Sequence, residues 1–142
     1  MTTVKSRVPN AKLEGVMLVA MVKEKGIELI IGATHDPVFG TVCMVGFGGV
    51  TVEVFNDTAF GITPITKDDA LDMIGELKVQ KLFDHFRGGQ SYDRGVIVDI
   101  LLKVEELMLD HPEIAEFDIN PCIFLPENTG AKIVDVRIVV KK

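Results

Sequence analysis

Apolar residues in this chain come in short runs whose period changes along the sequence. Residues 15–22 and 27–31 are two nearly continuous apolar runs separated by the polar turn 23–26. Runs of that length and content predict strands buried on both faces. Asp36-Pro-Val-Phe-Gly40 then supplies turn chemistry, and the chain returns as an apolar strand over 41–45. A glycine cluster, Gly46-Phe-Gly-Gly49, follows, and 50–55 alternates apolar and polar as a further strand, with Glu53 among its polar positions. The period then lengthens. Thr66 with Asp69 three residues on predicts a capped helix start, and Leu71, Ile74 and Leu77 keep helical spacing to Lys78. Ile97, Ile100, Leu101, Val104, Leu107 and Met108 mark a second amphipathic helix, closed by His111-Pro112. These six read as packing residues.

The last third returns to strand pattern. Between Glu116 and Ile138, two apolar runs flank the Pro/Asn/Gly-rich break Pro126-Glu-Asn-Thr-Gly130, a hairpin signal. A four-residue loop over 126–129 sets Leu125 opposite Gly130, Asn120 opposite Asp135 and Asp118 opposite Arg137. Alternation along both strands then gathers Asp118, Asn120, Asp135 and Arg137 on one face. Phe117, Ile119, Ile123, Val134, Val136 and Ile138 fall on the other, the expected core face. Strands, two helices and a closing hairpin predict an α+β fold, an antiparallel sheet flanked by helices.

At 142 residues, 47% hydrophobic and 25% charged, the chain has the length and composition of one globular domain. Residues 1–13 read as a loose lead-in and 14–142 as the folded domain. A net charge of −6 without a basic stripe points away from nucleic acid and from anionic membranes. No apolar run is long enough for a membrane helix and no signal-peptide pattern opens the chain, so a cytoplasmic location is expected. The two cysteines, Cys43 and Cys122, fit buried reduced thiols.

Several residues carry candidate chemistry. The oxygen-rich face of the hairpin suits a hard cation such as Mg²⁺, which takes one or two protein carboxylates and fills its shell with water and phosphate oxygens. The same face also reads as a solvated exterior beside an Asn-Pro turn. Glu28, inside an apolar run, is either ion-paired or in contact with a ligand. The glycine cluster at 46–49 either makes a tight turn or lets backbone amides approach phosphate. His35, His85 and His111 lack the carboxylate spacing of an activated base.

Asp118-Ile-Asn-Pro121 followed by Val134-Asp-Val-Arg-Ile138 resembles the end of the ATP-grasp domain in ADP-forming acyl-CoA synthetases, the succinyl-CoA synthetase superfamily. Gly26-Ile-Glu-Leu-Ile-Ile-Gly32, Asp36-Pro-Val-Phe-Gly40, Gly46-Phe-Gly-Gly-Val-Thr-Val-Glu53, Thr66-Lys-Asp-Asp-Ala-Leu71 and Phe86-Arg-Gly88 match in the same order, so the similarity runs from about residue 14 to 139. The resemblance implies the C-terminal lobe of ATP-grasp and a share in converting acyl-CoA, ADP and phosphate into acid, CoA and ATP through a phosphohistidine.

By position it implies Mg²⁺ on Asn120 and Asp135, and a phosphohistidine contact at Asp118. It further implies that ATP or ADP meets the hinge backbone at Ala20, Met21 and Val22, and also Glu28, Gly48 and Gly49. Departures are visible too. Val19 and Ala20 replace a polar residue and Glu or Pro at the hinge, and Asp118 replaces a Glu of some relatives. The phosphate-binding first lobe and the CoA-binding subunit have no counterpart here, so both are expected as partners, with homo-oligomerisation a further possibility. A non-catalytic association module descended from the same lobe is the alternative reading.

Overall fold

The computed structural model describes residues 6–48, 57–78, 80–84, 91–126 and 129–141. Its frame is a six-stranded, wholly antiparallel sheet: β1 (Ile27–Asp36), β2 (Gly40–Phe47), β3 (Thr58–Ile62), β4 (Ile114–Phe124), β5 (Ala131–Ile133) and β6 (Val136–Val140). The order is β3-β2-β1-β4-β5, and β6 continues beside β4 along the same edge as β5. Helices α1 (Lys67–Glu76) and α2 (Arg94–Asp110) lie between β3 and β4 in sequence and pack on one face of the sheet. The predicted α+β class and its element order are therefore present.

The alternation of β1 and β2 decides which face the helices cover. Leu29, Ile31 and Ala33 with Cys43, Val45 and Phe47 turn toward α2 residues Ile97, Leu101, Val104 and Met108, and all are buried. The helical spacing predicted for α2 is realised, with Ile100 and Leu107 half-buried at its margins. On α1 the buried stripe is Ala70, Met73 and Ile74, continued by Leu77, whereas Leu71 is exposed. The predicted Leu71-Ile74-Leu77 spacing thus missed the stripe's start by one residue. The Thr66–Asp69 capping box forms in both directions, the Thr66 N–H donating to Asp69 at 2.7 Å and the Asp69 N–H to the Thr66 hydroxyl at 3.2 Å.

Two sequence expectations change. The run 15–22 is not a strand: it carries no helix or strand, and Met17, Leu18 and Met21 are 83–94% exposed. Among the described residues no neighbouring strand offers it a ladder, and an apolar run without a partner has nothing to be buried against. β3, not anticipated, pairs with β2 from Val42↔Ile62 to Gly46↔Thr58. The strand and glutamate expected at 50–55 lie outside the described residues.

The closing hairpin has the predicted register. Leu125 N–H donates to Gly130 at 2.9 Å, Ile123 faces Lys132, Asn120 N–H donates to Asp135 at 3.1 Å, and Asp118 faces Arg137. Its core face differs from the expected one. β4 meets β1 through an irregularity: Ile31 faces Ile119 but Leu29 faces Cys122, so two residues of β1 span three of β4. The extra residue, within Asn120-Pro121, switches the strand's phase. Ile119 is core before it, and Cys122 and Phe124 after it, so Ile123 leaves the core face. Val134, Val136 and Ile138 are 43–51% exposed, because the helices stop short of this edge.

Candidate functional site

Among the described residues no helix covers the second face of the sheet, and a hollow of about 400 Å³ lies on it. Its apolar wall comes from Phe39, Val42, Met44 and Phe60, and its polar wall from Thr34, Glu116 and Asp118. Strand geometry explains the selection: Val42 and Met44 alternate with the buried Cys43 and Val45, and Glu116 and Asp118 stand opposite Thr34 and Gly32 of β1. The hollow's rim is shaped by the 36–40 turn. Asp36 Oδ1 accepts the N–H groups of Val38 at 2.7 Å and Phe39 at 2.9 Å, bonds that hold the Asp36 carboxyl below the usual carboxylate range. Gly40, at φ +78°, closes the turn in a conformation that favours glycine.

Gly32 matters for a different reason. A Cβ there would lie 2.6 Å from the Phe117 carbonyl oxygen and 3.6 Å from Asp118 Oδ1. The missing side chain lets β1 and β4 close up beside the Asp118 carboxylate and leaves the floor of the hollow open next to it.

Asp118 is the electrostatic centre of this face. Its carboxyl is pushed above the ordinary range, first by partial burial, then by Glu116, with Asp135 adding to the rise and Arg137 opposing it. Arg137 Nη2 meanwhile donates to both oxygens of Glu116 at 3.1 Å. Glu116, Asp118, Asp135 and Arg137 are thus one interacting group, and Asn120 stands directly across from Asp135.

The sequence-predicted residues divide clearly. Asp118, Asn120 and Asp135 are brought together on neighbouring positions of β4 and the β5–β6 join. Glu28 is exposed on β1, and its carbonyl accepts the Gly48 N–H at 2.7 Å, so Glu28 and Gly48 adjoin through backbone. The Glu28 side chain has left the interior position that its apolar run suggested. Ala20 and Met21 are exposed and Val22 is half-buried in the irregular lead to β1, apart from any sheet. Gly49 and His85 lie outside the described residues, as does Arg87. His35 is exposed on β1, and His111 pairs with Glu113 at 3.1 Å as the cap of α2. Sequence reasoning missed Glu116 and the apolar wall. Both were signalled by alternation, Glu116 two residues before Asp118 and Val42 two before Met44.

The donor set fits a hard cation in one respect and limits it in another. Asp135 and Asn120 supply one carboxylate and one amide oxygen, within what Mg²⁺ takes from protein when phosphate completes its shell. Among the described residues, no group of three or more His, Cys, Asp or Glu side chains forms a cage of its own. Such a site would hold an ion with its phosphate ligand.

Comparison with known proteins decides the family. A model of the ATP-grasp domain matches residues 1–140. This chain belongs to the ATP-grasp family. It is 42% identical over 140 residues to the ADP-forming acetate–CoA ligase I of Archaeoglobus fulgidus, covering 99% of this chain and 20% of that protein. To the β subunit of the ADP-forming acetate–CoA ligase II of Pyrococcus furiosus it is 43% identical, covering 94% and 56%. The chain therefore spans from a fifth to somewhat over half of these relatives. Among solved structures, the ATP-grasp chain is similar to the acetyl-coenzyme A synthetase 1 of Ca. Korarchaeum cryptofilum in complex with coenzyme A and Mg-AMPPCP. The TM-score is 0.77 at 44% identity, over 82% of this chain and 54% of that one. A further structure of that synthetase, with a phosphorylated phosphohistidine segment, gives a TM-score of 0.83 at 43% identity, over 99% and 61%. The relatives' fold and the antiparallel sheet described above agree, and the C-terminal ATP-grasp lobe of the ADP-forming acyl-CoA synthetases is the architecture of this chain.

Proposed function

We propose that this chain supplies the Mg-nucleotide half-site of an ADP-forming acyl-CoA synthetase, working together with a first ATP-grasp lobe and a CoA-binding part. The observation that carries this reading is the juxtaposition of Asp118, Asn120 and Asp135 beside an open hollow on the uncovered face. Asn120 and Asp135 would hold the metal. When bound, Mg²⁺ would neutralise phosphate charge during phosphoryl transfer, which depends on positioning and electrostatics more than on covalent help. Asp118 would meet the phosphohistidine, its carboxylate standing on the same face as Asn120 and Asp135. The apolar wall at Phe39, Val42, Met44 and Phe60 gives a planar base or another flat apolar group a surface to lie on. The relatives named as ADP-forming acetate–CoA ligases, one of them a separate β subunit, support the reaction class.

Melting curves test it. A ligand that binds only the folded chain stabilises it by about 2.7 kcal/mol at a hundred times its dissociation constant. For a domain of this size Mg-ADP should then raise Tm by roughly 4–15 °C. Asp135→Ala should remove the Mg-dependent part of the rise while leaving the ligand-free Tm nearly unchanged, since the residue is exposed. No shift with millimolar Mg-ADP in either protein would contradict the half-site.

A further inference from the structure

The uncovered face holds a cation whose position the metal and phosphohistidine contacts do not use. Arg137 sits on β6 directly opposite Asp118 and two residues after Asp135. Its guanidinium spends one nitrogen, Nη2, on both oxygens of Glu116 at 3.1 Å. The other two nitrogens, Nε and Nη1, are engaged in none of the hydrogen bonds of the described residues. The pair is partly solvent-exposed, 64% for Arg137 and 44% for Glu116, so the free edge of the guanidinium is open to a ligand.

We infer that Arg137, held in place by Glu116, is a phosphate-contacting residue that grips the nucleotide's phosphoryl oxygens beside the metal position. The inference rests on the half-site proposed above and assigns that site a third charged contact. Charge balance favours it. Glu116, Asp118 and Asp135 contribute three negative charges against the single positive charge of Arg137. A divalent ion alone would leave that cluster of carboxylates at −1, and Arg137 brings it to neutrality, so that a bound diphosphate meets no net negative charge on this face. Arginine suits the task because its planar fork can keep one nitrogen on a carboxylate while presenting the others to phosphate oxygens. Lysine would have to share the donors of one nitrogen between the two groups, without the fixed geometry of the fork. Glu116 has the complementary role: it positions the fork without touching the ligand. Lys132, the other cation of the closing hairpin, is bound instead to Glu24 at 2.5 Å.

Calorimetric titration of the 142-residue chain with Mg-ADP, with Mg-tripolyphosphate and with adenosine tests the assignment. Losing a charge-assisted contact should weaken Mg-ADP and Mg-tripolyphosphate binding to Arg137→Gln by roughly ten-fold or more, with adenosine unchanged. Arg137→Lys should recover part of that loss, and Glu116→Gln should weaken the two phosphate ligands by a smaller factor. Circular dichroism of each variant should match the unsubstituted chain. Asp135→Ala separates the two ideas, because it should abolish the Mg²⁺ dependence whereas Arg137→Gln should keep it. If Arg137→Gln binds Mg-ADP as tightly as the unsubstituted chain while Asp135→Ala fails, the role of Arg137 is overturned and the half-site stands. Equal losses for adenosine and Mg-ADP in Arg137→Gln would make the residue structural, and also overturn it. Failure of the unsubstituted chain to bind Mg-ADP or Mg-tripolyphosphate would overturn the half-site and the Arg137 contact together.

Discussion

Asp118 and the two cysteines show how the same physical cause, burial, leads to opposite roles. Burial and Glu116 raise the Asp118 carboxyl above its ordinary 3.8, so the folded state disfavours its charge. Its contribution to stability is therefore full below pH 3.8, where it is protonated folded or unfolded, and is lost as pH rises through the raised folded value. Asp118→Asn should accordingly be more stable than the unsubstituted chain at pH 7, by at most about 1 kcal/mol for a half-buried, solvent-screened group. Urea titrations at pH 7 and pH 3 should find the gain at the first and not at the second. Stability conceded at one carboxylate is the pattern of a functional site. Cys43 and Cys122 are raised to about 12 and about 11, chiefly by burial. Both should be unreactive toward a thiol-specific disulfide reagent at pH 8 until the chain unfolds. Neutral buried thiols stabilise the fold up to the ordinary 9.0, so that contribution should decline as pH rises beyond 9.

At the scale of elements, the hairpin was legible because a strand's period of two and a short loop leave one register that keeps both faces consistent. Leu125 opposite Gly130 fixed every pair down to Asp118 and Arg137. The phase switch at Asn120-Pro121 was not legible, because it comes from pairing with β1, a strand ninety residues earlier. Nor was β3. Thr58-Ala-Phe-Gly-Ile62 alternates, but Phe60 and Ile62 are 61% and 54% exposed, so its apolar content does not report burial. The run 15–22 misled in the converse way, being apolar without a partner among the described residues. Two substitutions test the elements that frame the site. Gly32→Ala would drive a methyl group to within 2.6 Å of the Phe117 carbonyl, so it should cost roughly 1–3 kcal/mol. It should also disturb the amide resonances of Asp118. Thr66→Ala should cost about 1 kcal/mol by denaturant titration, because it removes one half of the α1 capping box.

For the whole molecule, the division between a helix-covered face and an uncovered one sets what can bind where. The covered face packs Leu29, Ile31 and Phe124 beneath the helices, where Leu101 of α2 is buried with them, all fully. The uncovered face keeps Asp118, its neighbours and the hollow. Residues 16–21, apolar and exposed, precede that frame without joining it. Limited proteolysis should therefore cut first within residues 12–25 and leave a resistant fragment beginning near Ile27, read by mass spectrometry.

The central claim is that a metal–nucleotide complex sits at Asn120 and Asp135 on the uncovered face. Paramagnetic broadening reads this directly, with Mn²⁺-ADP, whose ion shares the oxygen preference of Mg²⁺, titrated into isotope-labelled chain. The amide signals of Asn120, Asp135, Asp118 and Gly32 should broaden first, and excess Mg-ADP should restore them. Broadening centred instead on the acidic side of α1, at Asp68, Asp69 and Asp72, with Asn120 and Asp135 untouched, would contradict it.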